Sequence, residues 1–83
     1  DLLRIQGVDA SFVAVQVGTG VNISARSLGA VNVQVIMESL GGGGHQTMAA
    51  AQLKHITPEA ARSRIEDAID KYWASQKKSG AGE

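Results

Sequence analysis

The chain has 83 residues, with 8 lysines plus arginines balanced by 8 aspartates plus glutamates, and no cysteine. This length holds one small domain with a modest core, and zero net charge argues against a dedicated duplex-DNA binder with a basic face. The missing cysteines exclude disulfides and thiolate zinc sites. No apolar run approaches the ~18 residues of a membrane span, and the start lacks the pattern of a signal peptide. Balanced charge still permits a small anionic ligand, because one arginine and a few backbone N–H groups hold a phosphate.

In chain order, Asp1–Gln6 reads as the last turns of a helix stopped by Gly7, and so as the start of a piece excised from a longer protein. Ser11–Val17 alternates, with Phe12 and Ala14 on one side and Val13, Val15 and Val17 on the other, which makes a strand. Gly18-Thr19-Gly20 reads as a three-residue hairpin connection to a second strand, Val21–Ser27. There Val21, Ile23 and Ala25 alternate with Asn22, Ser24 and Arg26. Asn32 is a plausible N-cap for a helix over Asn32–Leu40, ended by Gly41–Gly44.

Thr47–Leu53 admits two readings. Met48-Ala49-Ala50-Ala51 favours helix by propensity, but the glycine-rich approach suits a buried strand, and a strand over Ala49–Lys54 is the preferred one. Thr57-Pro58-Glu59 is a helix start, with Thr57 as N-cap and Pro58 in the first position. Ala61, Ile65, Ala68, Ile69 and Tyr72 make its apolar stripe to about Ser75, and Gln76–Glu83 reads as a frayed end. The sum is an α/β fold: a small mixed sheet in β-β-α-β-α order with helices packed on it. The β-α-β step is expected to be a right-handed crossover. Three strands make a thin sheet, so one edge is expected to be filled by further chain or another molecule.

Two places could carry chemistry. Four consecutive glycines, Gly41–Gly44, leave backbone N–H groups unshielded, free to converge on an anion as in phosphate nests, and His45 stands at the rim. The bland alternative is a C-cap at Gly41 followed by a hinge. No Gly-Lys-Ser/Thr follows, so this is no Walker loop. Ser24 and Arg26 share a strand face at i and i+2. Arg26 offers a guanidinium fork for phosphate, although spacing alone also fits a solvent-facing polar edge. His55 reads as a turn residue and Tyr72 and Trp73 as helix packing. Neither a metal-ligand spacing nor a nucleophile–base–acid set is visible.

Val21-Asn22-Ile23-Ser24-Ala25-Arg26-Ser27, a helix, Gly41-Gly42-Gly43-Gly44-His45 and then Ala49-Ala50 together resemble the DHHA1 domain of DHH-family phosphodiesterases. Within that family, Ser24-Ala25-Arg26-Ser27, Asn32-Val33-Gln34 and Gln52-Leu53 look most like the membrane-anchored cyclic-di-AMP phosphodiesterases. Nanoribonuclease-type relatives carry Ala-Ala-Gly where this chain has Ala49-Ala50-Ala51.

The resemblance implies a substrate-binding domain over 1–76 and a flexible tail over 77–83. Gly42, Gly43, Gly44 and His45 would meet a phosphate or the nucleotide edge, and Ser24 and Arg26 would help hold the substrate. It implies no catalytic residue, metal or cofactor in this piece, and two manganese ions in a DHH domain of the same chain. The implied reaction is hydrolysis of cyclic di-AMP to pApA by the parent, with the isolated piece inactive. The setting would be the cytoplasmic side of a membrane-anchored bacterial protein, and a homodimer is compatible with it. A nanoribonuclease, oligoribonuclease or single-strand exonuclease acting on short nucleic acid is the alternative reading, and a non-catalytic interaction module the second.

Overall fold

Alternating apolar residues build a five-stranded sheet in this computed structural model, which describes the backbone of residues 2–7 and 9–81 and the side chains of 9–76. The strands are β1 (Leu2–Gly7), β2 (Ala10–Val17), β3 (Gly20–Ser27), β4 (Gly43–Gly44) and β5 (Met48–Leu53), in the order β1-β2-β3-β5-β4. The helices are α1 (Val33–Glu38) and α2 (Pro58–Ala81). A small sheet with helices packed on it is therefore what forms. Every pairing is antiparallel, however, so the sheet is not mixed.

The reason lies in the chain reversal at 45–48. Helix α1 does not lead from β3 into a neighbouring parallel strand, as the expected crossover required. It leads to β4, which runs parallel to β3 two positions away, and the tight return into β5 inserts that strand between them. The first segment also differs from expectation. Leu2–Gly7 is a strand, paired in register from Leu2↔Val15 to Gly7↔Ala10, rather than the end of a helix. Six residues hold too few periods to separate the two geometries, and the free edge of β2 decides between them. The edge expected to need outside chain is filled by this chain's own β1.

Smaller boundaries moved as well. The β2–β3 connection has two residues, Gly18-Thr19, because Val17 pairs with Gly20. Strand β5 starts one residue earlier than read, at Met48, and ends at Leu53. Helix α2 continues to Ala81, past the end of its apolar stripe and into the segment read as frayed.

The caps hold as read. The Asn32 side chain accepts from the N–H groups of Gln34 and Val35, and the Thr57 hydroxyl accepts from the Ala60 N–H at 3.1 Å. One face of the sheet carries the core: Phe12, Ala14, Val21, Ile23, Ala25, Ala49, Ala51 and Leu53 pack under Val33, Ile36 and Met37 of α1 and Ala61, Ile65, Ala68 and Tyr72 of α2. The Tyr72 hydroxyl ties α2 to the start of α1 by accepting the Asn32 N–H at 3.0 Å. Trp73 is half-exposed and meets the Tyr72 ring edge-on at 5.6 Å.

Candidate functional site: the uncovered sheet face

Both helices lie on one side of the sheet, so the alternate residues of β3 and β5 face away from the core. Asn22, Ser24 and Arg26 on β3 and Met48, Ala50 and Gln52 on β5 are exposed. Strand pairing arranges them in rows. Ser11, Arg26 and Met48 are direct cross-strand neighbours, and so are Val13, Ser24, Ala50 and Gly43.

His45 extends the first row. Its N–H donates to the Met48 carbonyl at 2.6 Å, and the Met48 N–H donates back to the His45 carbonyl at 3.3 Å. Cross-strand partners share a face. The backbones of Arg26 and His45 are thus two strand spacings apart, roughly 10 Å, a span that a bound phosphate or nucleotide bridges.

The glycines divide into different jobs. The Gly41 N–H donates to Glu38 C=O at 3.0 Å and the Gly42 N–H to Met37 C=O at 2.9 Å, so both are spent closing α1. The nest expected of four converging N–H groups is therefore reduced. Because His45 and Met48 exchange both bonds, ladder alternation turns the next residue, Gly44, outward, and its N–H faces the free edge of β4.

A side chain at Gly42 would strike the Ala50 carbonyl and lie 2.6 Å from Ala51 Cα; Gly44 has φ of 147° and packs equally close to Ala49. Fold geometry demands glycine at both. It makes no such demand at Gly43, where an added Cβ would meet nothing within 4 Å.

Two concavities open around this face. One, of about 500 Å³, is lined by Asn22, Ser24, Gly41, Gly42, Ala50 and Gln52 among others. The other, of about 570 Å³, includes Asp9, Ser11, Arg26, Leu28, Thr47 and Met48 in its lining. The residues singled out in the sequence are therefore divided: Ser24 lies with Gly42 in one hollow, and Arg26 lines the other. Gly43, Gly44 and His45 line neither and stand at the β4 edge. Leu28, Met48 and Gln52 were not anticipated, although the two-residue period from Arg26 would have pointed to Leu28. His55 lies at the opposite end of β5, in a turn with φ of 53°, its Nδ1 3.4 Å from the Thr19 hydroxyl. Among the described residues no group of three or more histidine, aspartate or glutamate side chains could hold a metal ion.

The sequence profile described as the DHHA1 domain matches residues 1–77. This chain belongs to the DHHA1 family. The DHHA1 domain is 57% identical over 77 residues to the cyclic-di-AMP phosphodiesterase GdpP of Geobacillus thermodenitrificans, covering 92% of this chain and 12% of that protein. It is 51% identical over 76 residues to the cyclic-di-AMP phosphodiesterase PdeA of Listeria monocytogenes, covering 90% of this chain and 12% of that one. A bifunctional oligoribonuclease and PAP phosphatase, NrnA of Thermus thermophilus, is 44% identical over 50 residues, 60% of this chain and 15% of that protein. The DHHA1 domain thus spans about an eighth of the length of the phosphodiesterases it matches.

Proposed function

We propose that this DHHA1 domain is the substrate-binding domain of a DHH-family phosphodiesterase that hydrolyses cyclic di-AMP to pApA. The observation that carries the reading is the uncovered face on which Arg26, Ser24 and the His45 row fall together, in a chain 57% identical over 77 residues to a protein named a cyclic-di-AMP phosphodiesterase. On this reading the Arg26 guanidinium holds a phosphate by paired N–H donors, and Ser24 donates a hydroxyl from the next row. The outward Gly44 N–H and the His45 imidazole meet the nucleotide from the β4 edge, Gly43 lets it approach the backbone closely, and Gly42 lines the hollow beside Ser24.

The described residues offer no metal ligand set. Two manganese ions on a DHH domain of the same chain would activate water and neutralise the developing charge, and the present residues would position the substrate for it. Anchoring of the parent to a membrane, with this domain on the cytoplasmic side, belongs to the same proposal, as does a homodimer. No helix among the described residues is long and apolar enough to cross a membrane.

The likeness to NrnA supports a second reading, in which the same face serves an oligoribonuclease. Among the described side chains Arg26 is the one arginine on the open face, which suits a short ligand better than a long strand, since that wants repeated basic and aromatic contacts. Turnover of cyclic di-AMP, pApA and short RNA by the full-length parent decides between them. Preference for cyclic di-AMP supports the proposal, and faster turnover of short RNA or pApA replaces it with the second reading.

A further inference from the structure

The face that carries Arg26 ends in an apolar residue that the core does not use. Leu28 is 89% exposed. Its N–H donates to Asp9 C=O, and the Ser27 N–H donates to Thr47 C=O, both at 3.0 Å, so the β ladder continues past the end of β3. Leu28 therefore stands two residues beyond Arg26 on the same side of the sheet. Met48, the direct partner of Arg26 on β5, is 50% exposed. Both side chains line the 570 Å³ concavity with Arg26, and the hydroxyl residues Ser11, Ser27 and Thr47 lie at its walls. Asp9 closes one end, held there because its carboxylate accepts the Ala30 N–H at 2.7 Å.

Two solvent-exposed apolar side chains flanking a guanidinium, in a hollow of small-ligand size, match a ligand with a flat apolar body and one phosphate. A free inorganic anion would gain nothing from Leu28 or Met48. A second phosphate in the same hollow would meet the Asp9 carboxylate, so the other phosphate of a dinucleotide falls outside it.

We propose that Leu28 and Met48 form the apolar walls of a nucleobase subsite, which takes the base of the nucleotide whose phosphate Arg26 holds. The inference rests on the reading of Arg26 as a phosphate ligand. It adds that affinity for the base is set here, at the end of β3, while the glycine run and His45 meet the rest of the nucleotide.

The test uses the full-length parent and two competitive inhibitors that differ only in the base, AMP and ribose 5-phosphate. The wild type is expected to bind AMP more tightly. Leu28→Ser and Met48→Ser are expected to raise the inhibition constant of AMP roughly 5- to 20-fold, equivalent to about 1–2 kcal/mol of lost apolar contact, and to leave that of ribose 5-phosphate unchanged. Leu28→Ile should restore AMP binding. Arg26→Ala should weaken both inhibitors.

Each other outcome has a distinct meaning. If Arg26→Ala weakens both but the Leu28 and Met48 variants change neither, the base subsite is overturned and the phosphate reading stands. If those variants weaken both inhibitors equally, the apolar pair docks another domain of the parent instead, and the subsite is again overturned. Equal wild-type affinity for AMP and ribose 5-phosphate overturns it as well. If Arg26→Ala affects neither inhibitor, the underlying phosphate reading fails.

Discussion

Arg26 and His45 occupy one cross-strand row of the sheet, with Met48 between them as the direct partner of both. The two residues are 19 positions apart in the chain, and only the β4–β5 return brings them level. Register is demanding here, because a one-residue slip would send His45 to the helix-covered face. The conformation of the glycine run therefore decides whether the two residues can serve one ligand.

Gly42→Ala tests that conformation. Its new methyl group would collide with the Ala50 carbonyl and with Ala51, backbone that cannot swing aside. Overpacking of this kind costs about 1–3 kcal/mol. Thermal unfolding of the Gly42→Ala chain should show a midpoint lower by several degrees, and an unchanged midpoint would mean that the β4–β5 return packs less tightly than described.

Gly43→Ala should separate fold from function. The added methyl group meets no atom within 4 Å, so the melting midpoint should hold. Activity of the full-length parent should nevertheless fall, because the same methyl group occupies space proposed for the ligand. Full activity in Gly43→Ala would show that the substrate does not approach β4 there.

Tyr72→Phe probes the link between the two helices. It deletes the hydroxyl that accepts the Asn32 N–H at 3.0 Å, beside the cap of α1. The expected loss is about 1 kcal/mol, read as a shift of roughly 4–8 °C in the melting midpoint of a domain this size. A shift near zero would indicate that water replaces the hydroxyl without cost.

How much of this was legible beforehand depended on whether a signal was local. The alternation of Val21, Ile23 and Ala25, the caps at Asn32 and Thr57 and the stripe from Ala61 to Tyr72 are written within single elements, and each formed where it was read. Leu2–Gly7 was misread because its geometry is set by a partner, β2, and not by its own short pattern. The expected crossover failed for a related reason. A two-residue strand inside a glycine run carries no periodicity, so β4 and the insertion of β5 beside β3 could not be seen in the residues alone.

The candidate site followed the same rule. Ser24 and Arg26 could be placed on one face from their spacing, and His45 could be placed at a loop rim. That two glycine N–H groups are spent closing α1, and that Met48 sits between Arg26 and His45, are consequences of pairing across the chain.

The isolated 83-residue chain is expected to show no hydrolysis of cyclic dinucleotides, with or without added manganese. Phosphodiester hydrolysis at neutral pH calls for an activated water, and no metal-ligand cluster exists among the described residues. Metal-dependent turnover by the pure chain would refute the assignment of chemistry to another domain.

The shared Arg26–His45 face is tested most directly by catalytic efficiency toward cyclic di-AMP in the full-length parent carrying Arg26→Ala, His45→Ala or both. Each contact to a charged phosphate is worth on the order of 1–3 kcal/mol, so each single variant should lose roughly 5- to 150-fold in kcat/KM. Metal content and melting midpoint should stay at wild-type values, because both residues are exposed and neither belongs to the core. The double variant should depart from the sum of the single effects, as two groups on one ligand do. Wild-type turnover in His45→Ala, or single effects that merely add, would contradict a common site.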